Sequence, residues 1–191
     1  MEIVFASNNA HKLEEVRSKL PKHFNVLSLK DVVGDVDIPE TGTTLNENAA
    51  IKARYLFERT GKNCFADDTG LEIAALNGEP GVYSARYAGE NCSFRDNMNK
   101  VLKNMTGAED RSAKFRTVIC LILDGEEFFF EGQVDGKLLT EEHGEKGFGY
   151  DPIFRPDGYE ESFAQMSLEL KNEISHRGKA VQKLVDFLST R

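Results

Sequence analysis

Six consecutive apolar residues, Val118 to Leu123, joined through Asp124-Gly125 to Phe128-Phe129-Phe130, constrain this chain more than any other feature. A run that short, bounded by turn chemistry, reads as a strand with both faces covered, and Asp-Gly supplies the positive φ values that a tight hairpin needs. A central β-hairpin at the core of a sheet is therefore expected.

Around it the pattern alternates between strands and helices. Ile3-Val4-Phe5-Ala6 reads as a strand that ends at Ser7-Asn8-Asn9, after which Leu13, Val16 and Leu20 recur at helical spacing until Pro21. Phe24 to Leu29 alternates like a half-buried strand, and the segment from there to Gly42 is rich in Asp, Pro and Gly, placing Glu40 on a loop. Thr44-Leu45-Asn46-Glu47 has the form of a capping box opening a helix that Gly61 can end, with Lys52 projecting from it. Cys64-Phe65-Ala66 is expected to be a short strand that breaks at Asp67-Asp68-Thr69-Gly70, with a further apolar segment from Leu71 to Leu76. Ser93 can cap a helix containing Met98, Val101, Leu102 and Met105. Residues 143–159 carry six glycines and prolines between two patterned regions, which suits a functional loop rather than a linker. Ala180, Val181, Leu184, Val185 and Leu188 mark one face of a C-terminal helix packing on the body.

At 191 residues, with 40% hydrophobic and 29% charged residues, the chain is expected to form one globular domain over 1–191. No apolar run approaches the roughly 20 residues that span a bilayer, and the apolar start is too brief for a signal peptide, so a cytoplasmic location without membrane association is expected. Cys64, Cys92 and Cys120 are widely spaced and lack a CxxC pair, which argues against a disulfide framework or a zinc site and for three buried thiols. A net charge of -8 disfavours nucleic-acid binding, because that affinity comes mostly from Lys and Arg neutralising phosphates. An anionic substrate would therefore need a local basic pocket or a divalent cation.

Five groups of residues can carry chemistry, and each alone also has a plain structural reading. Ser7-Asn8-Asn9-Ala10-His11-Lys12 joins a strand to a helix, where backbone N–H groups favour an anion, although it also reads as an Asn-rich helix cap. Asp67-Asp68 sets adjacent carboxylates where they can attract magnesium, with Glu40 as a further ligand, or forms a solvated acidic turn. Lys146-Gly147-Phe148-Gly149-Tyr150-Asp151-Pro152 can approach and stack on a flat ring, or pack as a Gly-aromatic turn. Lys171 and Ser175-His176-Arg177-Gly178 place basic groups just before a helix, where they can bind phosphate or an exocyclic oxygen, and Lys52 is either a phosphate ligand or a solvated helical lysine.

Taken together and in order, these segments resemble the Ham1 family of inosine triphosphate pyrophosphatases across essentially the whole chain. The resemblance rests on Ser7 to Lys12, Glu40-Thr41-Gly42, Glu47-Asn48-Ala49 with Lys52-Ala53-Arg54, Ala66 to Leu71, Pro80 to Tyr87, Gly147 to Pro152 and Lys171 to Arg177. It implies an elongated α/β fold with a long, twisted mixed sheet, flanking helices and two lobes around a central cleft, commonly as a homodimer with Tyr83 to Tyr87 in the contact. It further implies hydrolysis of non-standard purine nucleoside triphosphates (ITP, dITP, XTP) to the monophosphate and pyrophosphate, with Mg2+ as cofactor, cleansing the nucleotide pool. By the same likeness Ser7, Asn8, Asn9, Ala10, His11, Lys12 and Lys52 hold the triphosphate. Glu40, Asp68 and Asp67 contact the metal, and Asp68 is the proton acceptor. Thr69, Phe148, Gly149, Tyr150, Asp151, Lys171, His176 and Arg177 complete the substrate site, the last group reading the purine edge.

The chemistry is consistent with those roles. A 6-oxopurine presents an acceptor where adenine presents an amino donor, so a backbone N–H, Lys171 or Arg177 can separate the two. Magnesium and lysines would neutralise the phosphates, while Asp68 or a metal-bound hydroxide prepares water to attack the α-phosphorus. Two other classes compete: a nucleotide-binding regulatory module, disfavoured by clustered carboxylates near phosphate, and an RNA-binding protein using aromatic stacking, disfavoured by the net charge.

Overall fold

The computed structural model describes residues 2–190. In chain order the elements are β1 (Glu2–Phe5), α1 (Ala10–Lys19), β2 (Asn25–Ser28), α2 (Leu29–Val33), α3 (Leu45–Thr60), β3 (Cys64–Ile73), β4 (Pro80–Gly81), α4 (Phe94–Asn104), β5 (Ser112–Leu123), β6 (Glu126–Leu138), β7 (Phe154–Pro156), α5 (Leu168–Ile174) and α6 (His176–Ser189). The strands form a seven-stranded mixed sheet in the order β2-β1-β3-β5-β6-β7, with β4 paired to β3. The expected hairpin is present as β5 and β6, turned at Asp124-Gly125 with φ of 52° and 87°. Among the described residues no helix is long and apolar enough to cross a membrane.

The chain gathers into two compact units, each assembled from segments distant in sequence. The first unit comprises the chain up to Asp68, Thr117–Gly132, and everything from His176 on. Here β1 runs parallel to β2, with Ile3 opposite Val26, and parallel to β3, with Phe5 opposite Phe65. Its core combines Ile3, Phe5 and Phe65 with Ile119 and Leu121 of the central strand and Val181, Leu184 and Leu188 of α6. The Phe5 and Phe65 rings stack at 4.8 Å between centroids. The apolar face expected for the C-terminal helix is the face that is buried, with Ala180, Val181 and Leu184 at most 1% exposed.

The second unit comprises Thr69–Arg116 and Gln133–Ser175. Its core joins Leu71, Ile73, Met98, Val101, Phe115, Val134, Ile153, Phe154 and Phe163. β4 pairs antiparallel with β3, Leu71 facing Gly81, and β7 pairs antiparallel with β6, Gly136 facing Pro156. Arg111 donates from Nε to the Leu138 carbonyl at 2.7 Å and from Nη2 to the Leu139 carbonyl at 2.7 Å, so a charged side chain secures the end of β6.

Helix boundaries follow local chemistry. Both halves of the Thr44–Glu47 capping box are formed, and Gly61 ends α3 in the left-handed conformation at φ 62°. Ser93 caps α4 in the same reciprocal way with Asp96. Four expectations are corrected. The segment between Leu29 and Val33, read as loop, is a short helix capped by Ser28. A second helix, α5, precedes the C-terminal one, so Lys171 lies within a helix while His176 and Arg177 form the first turn of the next. β3 does not break at the acidic pair but runs ten residues through it. Cys64 and Cys120 are buried thiols, with burial pushing each up to about 12, whereas Cys92 is only half-buried.

Candidate active site

The strand β3 carries Asp67 and Asp68 as consecutive residues in its middle, 2% and 5% exposed. Successive strand side chains point to opposite faces, so the two carboxylates have different partners. Asp67 accepts from the Lys12 ammonium at 2.9 Å through one oxygen and from Arg177 Nε at 3.1 Å through the other. Asp68 lies 3.6 Å from the Lys52 ammonium, which also donates to Glu40. The run that reads locally as a turn is thus a strand whose buried charges are matched by lysines from α1 and α3.

Position in the chain explains each lysine. α1 begins one residue after Asn9, whose side chain accepts from the N–H groups of His11 and Lys12 at 3.0 and 3.2 Å, and Lys12 reaches Asp67 from this first turn. Ser7 Oγ accepts the Asn9 N–H at 3.2 Å and the Asn8 amide donates to the Val36 carbonyl at 2.8 Å. The turn is therefore held by its own side chains, with Ala10 and His11 exposed beside it. The Glu40 loop is gripped from α3: Asn48 Oδ1 accepts the Gly42 N–H at 2.8 Å and Glu47 Oε2 accepts the Thr43 N–H at 2.6 Å. Lys52, one turn further along α3, meets Glu40 from there.

These groups do not titrate alike. Burial pushes the Asp68 carboxyl above the ordinary carboxylate range, Glu40 and Asp67 add repulsion, and Lys52 only partly offsets them. Burial acts on Asp67 in the same sense but is overcome by Lys12 and Arg177, which hold it well below that range. Burial together with the neighbouring Lys52 and Arg177 charges lowers Lys12, whereas Lys52 is raised because Asp68 and Glu40 outweigh its desolvation.

Arg177 departs from its expected part. It is 2% exposed, with Nε on Asp67 and Nη1 on Glu15, so it stands as the hub of a buried ion-pair chain Glu15–Arg177–Asp67–Lys12 rather than as an open reader of a base edge. Glu15, 5% exposed on α1, is a site residue that sequence reading missed. Its spacing of three from Lys12 puts both on one helix face, which is the signal that could have found it. His176, 3% exposed, opens α6 beside Arg177.

The remaining expected residues lie in the second unit. Lys171, 4% exposed, donates to Asp151 Oδ2 at 2.6 Å, and that same oxygen accepts the Phe148 N–H at 2.9 Å. The Lys171 ammonium also sits 5.1 Å from the centroid of the Phe148 ring and 5.7 Å from that of Phe163, within cation–π range. Gly147 makes this cradle possible: it adopts φ 75°, and a Cβ there would fall 2.1 Å from Asp151 Oδ2. Phe148 and Gly149 remain half-buried, and the exposed Phe94 ring lies 5.8 Å from that of Phe148. Tyr150 does not stack: 5% exposed, it donates its hydroxyl to the Ser84 carbonyl at 2.7 Å and is a strut. Thr69 is half-buried on β3, directly after Asp68 in the chain. A cavity of about 400 Å3 in this unit, bordered by Glu72, Lys114, Asp135 and Asp157, includes none of the expected site residues.

For a divalent cation the donor chemistry is specific. Among the described residues no three His, Cys, Asp or Glu side chains form a metal cluster by themselves. Magnesium does not need one, since it takes one or two carboxylates and completes its shell with water and phosphate oxygens. Glu40 and Asp68 fit, because both reach the single Lys52 ammonium. Asp67, expected as a third contact, instead directs its two oxygens at Lys12 and Arg177.

The first unit thus pairs buried carboxylates of β3 with lysines of α1 and α3, and the second holds a buried lysine in a Gly-aromatic loop. Residues 3–187 match the Ham1 family, and the chain belongs to that family. It is 52% identical to a dITP/XTP pyrophosphatase of Flavobacterium johnsoniae over 99% of this chain and 98% of that protein. It is 44% identical to a dITP/XTP pyrophosphatase of Staphylococcus aureus over 98% of this chain and 96% of that protein. Among solved structures, a HAM1 protein from Coxiella burnetii superposes with a TM-score of 0.90 at 41% identity, covering 100% of both chains.

Proposed function

We propose that this chain is a nucleoside triphosphate pyrophosphatase that hydrolyses ITP, dITP and XTP to the monophosphate and pyrophosphate, acting with Mg2+. The observation that carries the reading is the opposed state of the two β3 carboxylates. Asp67 is ion-paired to Lys12 and Arg177, whereas Asp68 lies 3.6 Å from the Lys52 ammonium that also holds Glu40. The names of the relatives, dITP/XTP pyrophosphatase, support the same substrate class.

In this reading Glu40 and Asp68 hold the cation, which when bound supplies charge neutralisation and polarises the phosphate. Lys12 and Lys52 exchange part of their contact with carboxylates for contact with the triphosphate, assisted by the Ser7 to His11 turn, so that charge is balanced with and without substrate. Asp68 accepts the proton of the attacking water. Thr69 and the Phe148–Asp151 loop serve the nucleoside, and Lys171 donates to the 6-oxo group that adenine lacks. Arg177, beside His176 in the first turn of α6, acts by fixing Asp67 and, through it, Lys12. The protein works in the cytoplasm as a homodimer that includes the exposed Tyr83.

The test is a panel of nucleoside triphosphates with Mg2+, scored by pyrophosphate release, on the wild type and Lys171→Ala. ITP, dITP and XTP are expected to exceed ATP, and Lys171→Ala is expected to lower kcat/KM for ITP by about 10- to 100-fold more than for ATP. Equal losses on both would place Lys171 with the phosphates, and no pyrophosphate from any member of the panel would remove the reading.

A further inference from the structure

We propose that Ser84 is a positioning residue for this site, joining the strand that carries the acidic pair to the loop that holds Asp151. Three hydrogen bonds meet at this one residue, which is 8% exposed. Its hydroxyl accepts the Leu71 N–H at 2.9 Å and donates to the Gly81 carbonyl at 2.6 Å. Its own carbonyl accepts the Tyr150 hydroxyl at 2.7 Å. Leu71 and Gly81 face each other in the β3–β4 register, so the hydroxyl bridges the two strands at one pair.

Both ends of this bridge lead to functional groups. Leu71 follows Asp68 by three residues on the same strand, too short a span for the carboxylate to be indifferent to how that strand is held. Tyr150 immediately precedes Asp151, whose carboxylate holds Lys171 and the Phe148 N–H. The approach is close enough to dictate sequence: a Cβ on Gly70 would fall 2.8 Å from the Gly81 carbonyl oxygen, so a glycine is required next to Leu71 for Ser84 to reach the strand. Tyr150 serves as a donor only while protonated, and its burial keeps it so. The surrounding 80–87 segment contributes no group to the chemistry proposed above, yet through Ser84 it sets the register of groups that do.

The inference rests on the proposed activity, and its test separates the two. Steady-state kinetics with ITP and Mg2+ are measured for the wild type, Ser84→Ala, Tyr150→Phe, their double variant, and Val101→Ala. The last opens a cavity in the core of the same unit, at a residue 0% exposed, and is the measure of what lost stability alone does to turnover. Ser84→Ala is expected to lower kcat about 10- to 100-fold, the scale of a misplacement near 1 Å, and Tyr150→Phe to raise KM for ITP with a smaller change in kcat. The double variant should lose less than the product of the two singles, because both act through one node. Val101→Ala should keep kcat and KM while shifting its urea midpoint at least as far as Ser84→Ala does. Unchanged constants in Ser84→Ala and Tyr150→Phe, or an equal loss of kcat in Val101→Ala, would overturn the proposal. A wild type that releases no pyrophosphate from ITP would instead overturn the activity on which it rests.

Discussion

Replacing Asp68 by Asn lowers kcat by about 10²- to 10⁴-fold while leaving the melting temperature at or above the wild-type value. The two halves of this expectation have one cause. Burial holds the Asp68 carboxyl above its ordinary proton affinity, so the folded chain bears a desolvation cost whenever that group is ionised. A raised carboxyl gives most to stability when protonated, and this contribution is lost as pH rises from the unfolded value, near 3.9, through the folded one. An amide removes the cost at neutral pH, and Lys52 keeps Glu40 as its partner. Turnover requires the ionised base, which the amide cannot supply. A variant with near wild-type kcat would remove Asp68 from the mechanism.

Arg177→Met is expected to destabilise the protein by about 3–5 kcal/mol, because it strips two buried carboxylates of a shared cation. Glu15, Arg177 and Asp67 are each at most 5% exposed, so no solvent replaces the lost guanidinium. Asp67 is held below its usual range partly by Arg177, so its contribution to stability is present above the unfolded value and is lost as pH falls. The deficit of the variant should therefore be large at neutral pH and shrink on acidification below about pH 4. Lys62→Met offers the contrast, since Lys62 meets Glu2 at 2.9 Å with both side chains about half exposed, and such pairs contribute about 0–1 kcal/mol. Urea unfolding of the two variants across pH measures this directly. Equal, small losses would show that the buried chain does not hold the first unit together.

Which parts were legible in the sequence follows from the range of the interactions that decide them. The Thr44–Glu47 box, the Gly61 cap and the Asp124-Gly125 turn are settled within a few residues, and all three stand where the pattern put them. The extent of β3 is not local. Asp67-Asp68-Thr69-Gly70 has turn composition, and it is a strand because β3 is held in the sheet between β1 and β5, with Lys12, 55 residues away, and Lys52 matching the buried charges. Glu15 and Arg177 were obscured in the same way, since their link spans 162 residues. Tyr150 was misjudged for a different reason: a tyrosine directly after Gly149 in a Gly-aromatic loop suggests a ring offered to a ligand, and nothing local reveals that its hydroxyl is committed to Ser84, 66 residues back. Sequence therefore pointed to the groups of the proposed chemistry more readily than to the groups that hold them.

The central claim is that water attacks the α-phosphorus, which separates a pyrophosphatase from enzymes that remove the terminal phosphate. The chain lacks the Gly-rich loop with its Lys and Ser or Thr that cradles β- and γ-phosphates for terminal transfer. It carries instead Lys12 and Lys52 paired with the β3 carboxylates, and in the proposed function these lysines hold the leaving pyrophosphate while Asp68 activates water. Hydrolysis of ITP in oxygen-18 water with Mg2+, read by mass spectrometry at early times, should place the heavy oxygen in inosine monophosphate and leave pyrophosphate unlabelled. Label in pyrophosphate, or inosine diphosphate and free phosphate as the main products, would contradict the account.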